Sequence, residues 1–127
     1  MSEKIKIFIV DDDKFLLSMY SMKFEKNDFE VKIAANGPDA LELLRSGYRP
    51  NILLIDLVMP IMDGFSTYES MRREKLLPDT IAIMLTNQGL TSDINRARDL
   101  GFHGYIIKAT TIPSEVVTEV IKIYNKK

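Results

Sequence analysis

Five short runs of apolar and β-branched residues recur along the chain, and longer segments with a different spacing separate them. The runs are IKIFIV at 5–10, FEVKIA at 29–34, NILLID at 51–56, TIAIML at 80–85 and GYIIK at 104–108. Between them, apolar residues recur three to four positions apart, as at Leu16, Met19, Tyr20 and Phe24. Such spacing is typical of helices with one buried face, and short apolar runs are typical of strands. The pattern therefore predicts five strands that alternate with helices.

Polar caps, glycines and a proline mark the ends of the predicted helices. Side chains that accept a hydrogen bond from the first turn are typical of helix starts, and glycine is typical of helix ends. The fourth helix, TSDINRARDL, has the weakest propensity, so we expect it to be short or mobile. The predicted starts are Asn36, Asp63 and Thr91 or Ser92, with Pro113 in the first turn of the last helix, and the predicted ends are Gly47 and Gly101.

The predicted strands are apolar throughout rather than at every second residue. Together with the alternation of strand and helix, this favours an α/β fold in which a parallel sheet is covered by helices on both faces. A chain of 127 residues suits one domain, and no linker or low-complexity tract divides it. We therefore expect a single doubly wound domain over residues 1–127.

Composition narrows the classes of function. A net charge of -1 argues against direct nucleic-acid binding, which requires a basic face. The chain has no cysteine, which excludes a disulfide framework, a thiolate metal site and a thiol nucleophile. Neither a membrane span nor a signal peptide is predicted, so we expect a cytoplasmic protein without a membrane partner.

Polar residues lie at the carboxyl ends of four of the five predicted strands or directly after them. Ligands of open α/β sheets bind beyond the carboxyl ends of the strands, so these residues are expected to share one edge. Adjacent carboxylates repel each other, and both a hard divalent cation and an ammonium group relieve that repulsion. Two or three carboxylates suit Mg²⁺, and no glycine-rich phosphate loop is present. The residues at the strand ends are Asp11, Asp12, Asp13, Asp56, Thr86 and Lys108.

Some of these residues also have simpler interpretations. Asp13 is expected to cap the first helix rather than to bind a metal. Asp56 alone would be an ordinary aspartate that starts a loop, and only its convergence with the other strand ends favours a functional role. His103, the single histidine, is expected in an exposed loop. Met59 and Met62 are expected to pack against the core.

Four motifs resemble the receiver domain of bacterial response regulators over essentially the whole chain. They are IVDDD after the first strand, LLIDLVMPIMDG around Asp56, MLT ending at Thr86 and GYIIK ending at Lys108. The resemblance implies a flavodoxin-like (βα)5 fold with strand order 2-1-3-4-5. It also implies a signalling domain rather than an enzyme, phosphorylated by a sensor histidine kinase or a phosphotransfer protein.

The same resemblance implies a role for each site residue. Asp56 is the phospho-acceptor, and Lys108 pairs with the phosphoryl oxygens. Mg²⁺, or Mn²⁺ in its place, is bound by Asp12, Asp56 and the backbone carbonyl of Val58, with Asp11 acting through water. Thr86 bonds to the phosphoryl group, and Tyr105 is an aromatic switch that turns inward when Thr86 moves. The resemblance implies output through the face of the fourth helix, fifth strand and fifth helix, towards a homodimer partner or an effector protein.

Two residues depart from the usual pattern of the family. Ala109 follows Lys108, where receivers usually have a proline after a cis peptide bond. Because a cis bond before a residue other than proline costs about 3–4 kcal/mol, we expect a trans bond here. Asn87 follows Thr86, where a small residue is usual, and we expect its amide to alter the rates of phosphorylation or hydrolysis.

Two other functions compete with the phospho-acceptor switch. A phosphatase of the haloacid dehalogenase type also uses an aspartate nucleophile, but it needs an acid two residues later, where this chain has Val58. Such phosphatases also usually carry a cap domain, for which we expect no room. The other alternative is a receiver-like interaction module that no longer accepts phosphate. This alternative stays open because Ala109 and Asn87 depart from the usual pattern of the family.

Overall fold

The computed structural model describes residues 3–126, which alternate between strand and helix throughout. The strands are β1 (Lys6–Val10), β2 (Glu30–Ala34), β3 (Ile52–Asp56), β4 (Ile81–Thr86) and β5 (Gly104–Ile107). The helices are α1 (Lys14–Lys26), α2 (Gly37–Arg45), α3 (Gly64–Arg73), α4 (Thr91–Leu100) and α5 (Pro113–Asn125). The prediction of five strands alternating with helices is confirmed. Most of the observed strand ends differ from the predicted ends by one residue.

All strand pairs are parallel, and the sheet has the order β2-β1-β3-β4-β5. The flavodoxin-like order implied by the motifs is therefore confirmed. In this order β1 and β3 are neighbours near the middle of the sheet, and the register places Val10 beside Ile55. The residues that follow β1 and β3 consequently leave the sheet side by side.

Helices cover both faces of the sheet. One core lies under α2, α3 and α4, and the other lies under α1 and α5. Every residue of β3 and β4 is buried, as predicted for strands covered on both faces. The edge strand β2 differs, because only Ala34 of its five residues is buried and Ile33 is 49% exposed. An edge strand has one sheet neighbour instead of two, so its apolar run is less completely covered.

Local caps explain where three of the helices begin. Asp13, Asn36 and Asp63 each accept a hydrogen bond from the backbone amide three residues later, which confirms these predicted starts. The prediction for α4 was wrong, because the capping position is Leu90 and, within residues 3–126, no side chain caps this helix. Thr91 already belongs to the first helical turn.

Two glycines take positive φ angles immediately after helices, as predicted. Gly101 ends α4 with φ 102°, and Gly47 follows α2 with φ 111°. This left-handed conformation is open to glycine at little cost because glycine has no Cβ. The α4 helix spans the whole predicted segment, and Ala97 is its one buried residue in the described chain.

The chain turns sharply where β5 ends. Lys108–Thr110 form a single 3-10 turn that leads to α5. All described peptide bonds are trans, including the bond between Lys108 and Ala109, which confirms that prediction. None of the described helices combines the length and the hydropathy needed to cross a membrane.

Candidate functional site: a carboxylate cluster at the carboxyl edge

Asp11 lies directly after β1 and is completely buried. Its amide continues the sheet by donating to the carbonyl of Ala34 at 3.1 Å. One carboxylate oxygen accepts from the amide of Asp13 at 2.9 Å, and the other accepts from Nζ of Lys108 at 2.8 Å. A buried carboxylate requires such partners, since an unpaired charge away from water is costly.

The next two aspartates of the triplet have different environments. Asp12 is exposed, and its carboxylate can reach the same point as those of Asp11 and Asp56. Asp13 is also exposed, and its side chain caps α1 by accepting from the amide of Leu16 at 3.1 Å. The cap predicted for Asp13 is thus confirmed, and only the first two acids face the cluster.

Asp56 ends β3 with 4% of its surface exposed. The chain leaves this strand through the loop at 57–63, which is closed where the amide of Gly64 donates to the carbonyl of Leu57 at 2.8 Å. A Cβ atom on Gly64 would collide with the carbonyl oxygen of Asp56 and lie 2.9 Å from Cα of Leu57. Glycine therefore allows α3 to start against the end of β3, and this keeps Asp56 beneath the loop.

Lys108 joins the two buried aspartates. Its ammonium nitrogen lies 2.8 Å from Oδ2 of Asp11 and 3.4 Å from Oδ2 of Asp56, and its side chain is only 8% exposed. The shorter contact shows that Asp11 is the main partner of the lysine in this state. A single ammonium group therefore faces two buried carboxylates and offsets only part of their negative charge.

The charge balance of the pocket shifts two pKa values. The pKa of Asp56 is raised to about 7 by burial and, to a smaller extent, by the negative charge of Asp11, while Lys108 opposes the shift. Burial alone would lower the pKa of Lys108, but its hydrogen bond to Asp11 and the charges of Asp56 and Asp11 outweigh that effect and raise it. The ionised pocket thus holds more negative charge than its own lysine compensates.

The cluster fits a hard divalent cation. Carboxylate oxygens of Asp11, Asp12 and Asp56 lie within 4.8 Å of one another, and exposed Asp12 leaves a side open to water. Mg²⁺ favours a few carboxylate oxygens and several retained water molecules. Val58 lies two residues beyond Asp56 in the loop to α3, with its side chain 66% exposed. The donor set is therefore suitable for the predicted metal.

Thr86 ends β4 and is buried, with 4% of its surface exposed. Its hydroxyl group donates to the carbonyl of Gln88 at 2.8 Å, so its single proton is directed into its own loop. Tyr105, on β5, is 43% exposed. In this structure neither the threonine proton nor the tyrosine ring is directed into the pocket interior.

The remaining candidates behave mostly as predicted. His103 is exposed, but its Nδ1 atom also accepts a hydrogen bond from the amide of Ala82 at 3.0 Å, which the sequence did not indicate. Met59 is buried in the core and Met62 packs against it, as expected. Asn87 is exposed next to Thr86.

Ile61 is the residue at this edge that the sequence did not single out. It lies in the loop between β3 and α3 with φ 73°, a left-handed conformation that β-branched residues rarely adopt. The amide of Met62 donates to the carbonyl of Pro60 at 2.8 Å, which closes a γ-turn around Ile61. Isoleucine carries no signal for positive φ, so sequence patterns do not predict this turn.

Comparison with known proteins identifies the family. Residues 7–120 match the response regulator receiver domain. The chain therefore belongs to the response regulator receiver domain family, the signalling domains of two-component systems. Receivers are generally not enzymes in their own right, and they generally bind Mg²⁺ at an acidic pocket.

Several curated relatives are about one-third identical. The response regulator protein VraR of Staphylococcus saprophyticus is 31% identical over 125 residues, which are 97% of this chain and 58% of the relative. The transcriptional regulatory protein SrrA of Staphylococcus aureus is 34% identical over 116 residues, which are 91% of this chain and 46% of the relative. The chain thus spans about half the length of these relatives.

Solved structures agree with the fold. A CheY-like receiver domain protein from Methanospirillum hungatei has a TM-score of 0.84 and 27% identity, with 98% of this chain and 96% of that chain covered. The chemotaxis response regulator CheY4 of Vibrio cholerae has a TM-score of 0.85 at 24% identity, with 94% and 98% covered. The second of these is similar in fold alone.

Proposed function

We propose that residues 1–127 form a phospho-acceptor domain in which Asp56 receives a phosphoryl group from a histidine of a partner protein. One observation carries this proposal: the carboxylate of Asp56 lies in a small pocket with Asp11, Asp12 and the ammonium group of Lys108. A sensor histidine kinase or a phosphotransfer protein would be the donor, acting in the cytoplasm.

The transfer needs an ionised nucleophile. A carboxylate oxygen of Asp56 attacks phosphorus as the bond from phosphorus to the donor's imidazole nitrogen breaks, and the bonding pair leaves with the imidazole. An acyl phosphate on Asp56 and a free donor histidine result. Because the pKa of Asp56 is raised to about 7, the pocket must favour the charged carboxylate for this step to proceed at neutral pH.

A divalent metal fits the remaining charge. Asp12, Asp56 and the carbonyl of Val58 would hold it directly, with Asp11 acting through water, and Mn²⁺ would serve as an alternative to Mg²⁺. When bound, the metal supplies positive charge that neutralises the phosphoryl oxygens. Asp11 also keeps the ammonium group of Lys108 beside Asp56, where it can pair with a phosphoryl oxygen.

Thr86 and Tyr105 would convert the new charge into a signal. A hydroxyl group has one proton, so Thr86 can donate either to the carbonyl of Gln88 or to a phosphoryl oxygen, but not to both. A change of partner moves the loop between β4 and α4 and makes room for Tyr105 to turn inward. The face of α4, β5 and α5 would then bind a second copy or an effector protein, and no nucleic acid or membrane is contacted directly.

The test is to incubate the protein with Mg²⁺ and acetyl phosphate, then to measure its intact mass. We expect an adduct of one phosphoryl group that is absent from Asp56→Asn and retained in Asp63→Asn, whose acid is exposed and caps α3. Absence of any adduct in the wild type would favour the module that no longer accepts phosphate. Rapid multiple turnover of phosphate esters would favour the phosphatase instead.

A further inference from the structure

The side chain of His103 takes the place of a backbone carbonyl group where β5 begins beside β4. The amide of His103 donates to the carbonyl of Ala82 at 2.8 Å, and Nδ1 of the same histidine accepts from the amide of Ala82 at 3.0 Å. The paired register of the two strands starts only at Ile83 and Gly104. The imidazole therefore extends the pairing of β4 with the last strand by one step.

This hydrogen bond provides the acceptor for a buried amide. Ala82 is completely buried, and a buried amide that loses its acceptor is destabilising because no water replaces the lost bond. His103 also lies close to the end of α4, where the amide of Phe102 donates to the carbonyl of Ala97 at 2.9 Å. The imidazole consequently ties both the end of α4 and the start of β5 to β4.

Only the neutral imidazole of His103 can accept this bond. A neutral ring has one accepting and one donating nitrogen, so Nε2 carries the proton while Nδ1 accepts. In the charged ring both nitrogens carry protons, and neither can accept from the amide of Ala82. The residue is exposed, so the ring exchanges protons with solvent. The hydrogen bond and a positive charge on the ring therefore exclude each other.

The groups around the ring come from every element packed against it. Within residues 3–126, two surface clefts share His103, and their other charged or titratable side chains include two cations, which repel a charged imidazole, and one carboxylate, which attracts it. These side chains are Tyr68 and Arg72 from α3, Asp79 from the loop before β4, Arg98 from α4 and Tyr105 from β5. Asp79 is exposed and can accept a hydrogen bond from a charged ring that has left Ala82.

We propose that His103 is a pH-sensitive latch between β4 and the segment that joins α4 to β5. The neutral ring closes the latch. Protonation opens it, leaves the amide of Ala82 without its acceptor and loosens the start of β5, where Tyr105 lies two residues further along. Histidine side chains ordinarily change their charge between pH 5 and pH 8. The inference is independent of the proposed phosphorylation of Asp56, which lies at the opposite edge of the sheet.

Hydrogen exchange of single amides, followed by NMR on the full chain, tests the latch. The measured quantity is the exchange rate of the Ala82 amide divided by that of the Lys6 amide in the same protein. The Lys6 amide is a matched control, because it donates at 2.8 Å to Oδ1 of Asn51, an acceptor at the same edge of the sheet that does not ionise. The division removes the ordinary pH dependence of exchange, which both amides share.

We expect this ratio to rise by about tenfold or more between pH 8 and pH 5.5 in the wild type. In His103→Leu, which has no acceptor, the ratio should be high at both pH values. In His103→Asn, whose side-chain oxygen can accept but does not ionise, the ratio should be the same at both. His103→Asn also keeps Asp56, whose pKa of about 7 lies in this range, so a rise confined to the wild type cannot come from Asp56.

The ring itself gives a second readout. Long-range proton–nitrogen spectra should show the imidazole proton on Nε2 at pH 8 and protons on both nitrogens at pH 5.5. Any of three results would overturn the latch: a wild-type ratio that stays constant, a ratio that rises in His103→Asn as well, or a ring proton on Nδ1 at pH 8. A ratio in His103→Leu as low as the wild-type ratio at pH 8 would also overturn it, because the hydrogen bond would then not protect Ala82.

Discussion

The two ends of the same parallel sheet are built from opposite kinds of contact. At the amino ends of the strands, polar side chains complete the hydrogen bonds of neighbouring strands. Asn51 accepts from the amide of Lys6 at 2.8 Å, the hydroxyl group of Thr80 donates to the carbonyl of Pro50 at 2.8 Å, and Nδ1 of His103 accepts from the amide of Ala82 at 3.0 Å. Each of these bonds joins the start of one strand to a neighbouring segment.

At the carboxyl ends the contacts leave charge uncompensated. Two buried carboxylates share one ammonium group, and the pKa of Asp56 is raised to about 7 mainly by burial and then by the charge of Asp11. The Thr86 hydroxyl group bonds only within its own loop in this structure, and Ile61 is held at positive φ. The comparison indicates that functional residues lie where the fold leaves buried charge uncompensated and backbone conformations strained. A ligand or a partner protein can supply the missing charge or offset the strain.

Loss of Lys108 should produce the largest contrast between the two ends. We expect Lys108→Met to destabilise the metal-free protein by about 3–5 kcal/mol at pH 8, because Asp11 loses the cation that pairs with it. Labelling by acetyl phosphate should fall by about 100-fold or more. Asn51→Ala at the amino end should cost only about 1 kcal/mol and leave labelling unchanged. Urea unfolding and intact mass measure both effects, and equal losses in the two variants would contradict the contrast.

The charge of Asp56 should make stability depend on pH. The ordinary carboxyl pKa is 3.8 and the folded value is about 7, so between these values the folded state binds more protons than the unfolded state. The free energy of unfolding of the metal-free wild type should therefore fall as pH rises from about 4 to about 7. Asp56→Asn should not show this fall, because asparagine does not ionise.

The two proteins should differ most above pH 7, with Asp56→Asn more stable by up to about 4 kcal/mol. Chemical unfolding at several pH values with EDTA present measures the difference. A constant difference between pH 4 and pH 8 would show that Asp56 is not destabilised by its ionisation.

Magnesium should stabilise the carboxyl end through Asp12 but not through the neighbouring Asp13. In excess Mg²⁺ the wild type should gain about 1–2 kcal/mol, seen as a higher melting temperature. Asp12→Ala should lose this gain. Asp13→Ala should keep it while losing about 1 kcal/mol of stability as α1 loses its cap. If Mg²⁺ has no effect on the wild-type melting temperature, the metal site is contradicted.

Asn87 should have the smallest effect. Asn87 is exposed and directly follows Thr86, the last residue of β4. We expect Asn87→Ala to change the rate of adduct formation or hydrolysis by less than about tenfold, since one exposed contact contributes about 1 kcal/mol. Asn95→Ala, at an exposed position on α4, is the control. Labelling followed over time by mass measures both rates, and unchanged kinetics would refute a role for Asn87.

The sequence predicted most of the fold because its signals were local and consistent. Apolar runs gave the strands, and three polar caps gave helix starts within a residue. The failure at α4 has a physical explanation: Thr91 and Ser92 are good capping types, but the hydrogen bonds place Leu90 before the first turn. Residue type states which side chains are able to cap, whereas the path of the preceding loop decides which one is in position.

The sequence predicted which residues lie at the carboxyl edge of the sheet but not how they pair there. The sequence by itself determined that five residues lie at the carboxyl ends of strands or directly after them, and parallel strands bring those ends to one edge. These residues are Asp11, Asp12, Asp56, Thr86 and Lys108. Only the tertiary structure decided that Asp11 is buried and Asp12 exposed, and that Lys108 lies closer to Asp11 than to Asp56. The contact between Lys108 and Asp11 joins residues 97 positions apart, and the strain at Ile61 depends on how its loop closes over β3. Local patterns specify elements, whereas contacts between distant residues are set by packing, which no stretch of the sequence encodes alone.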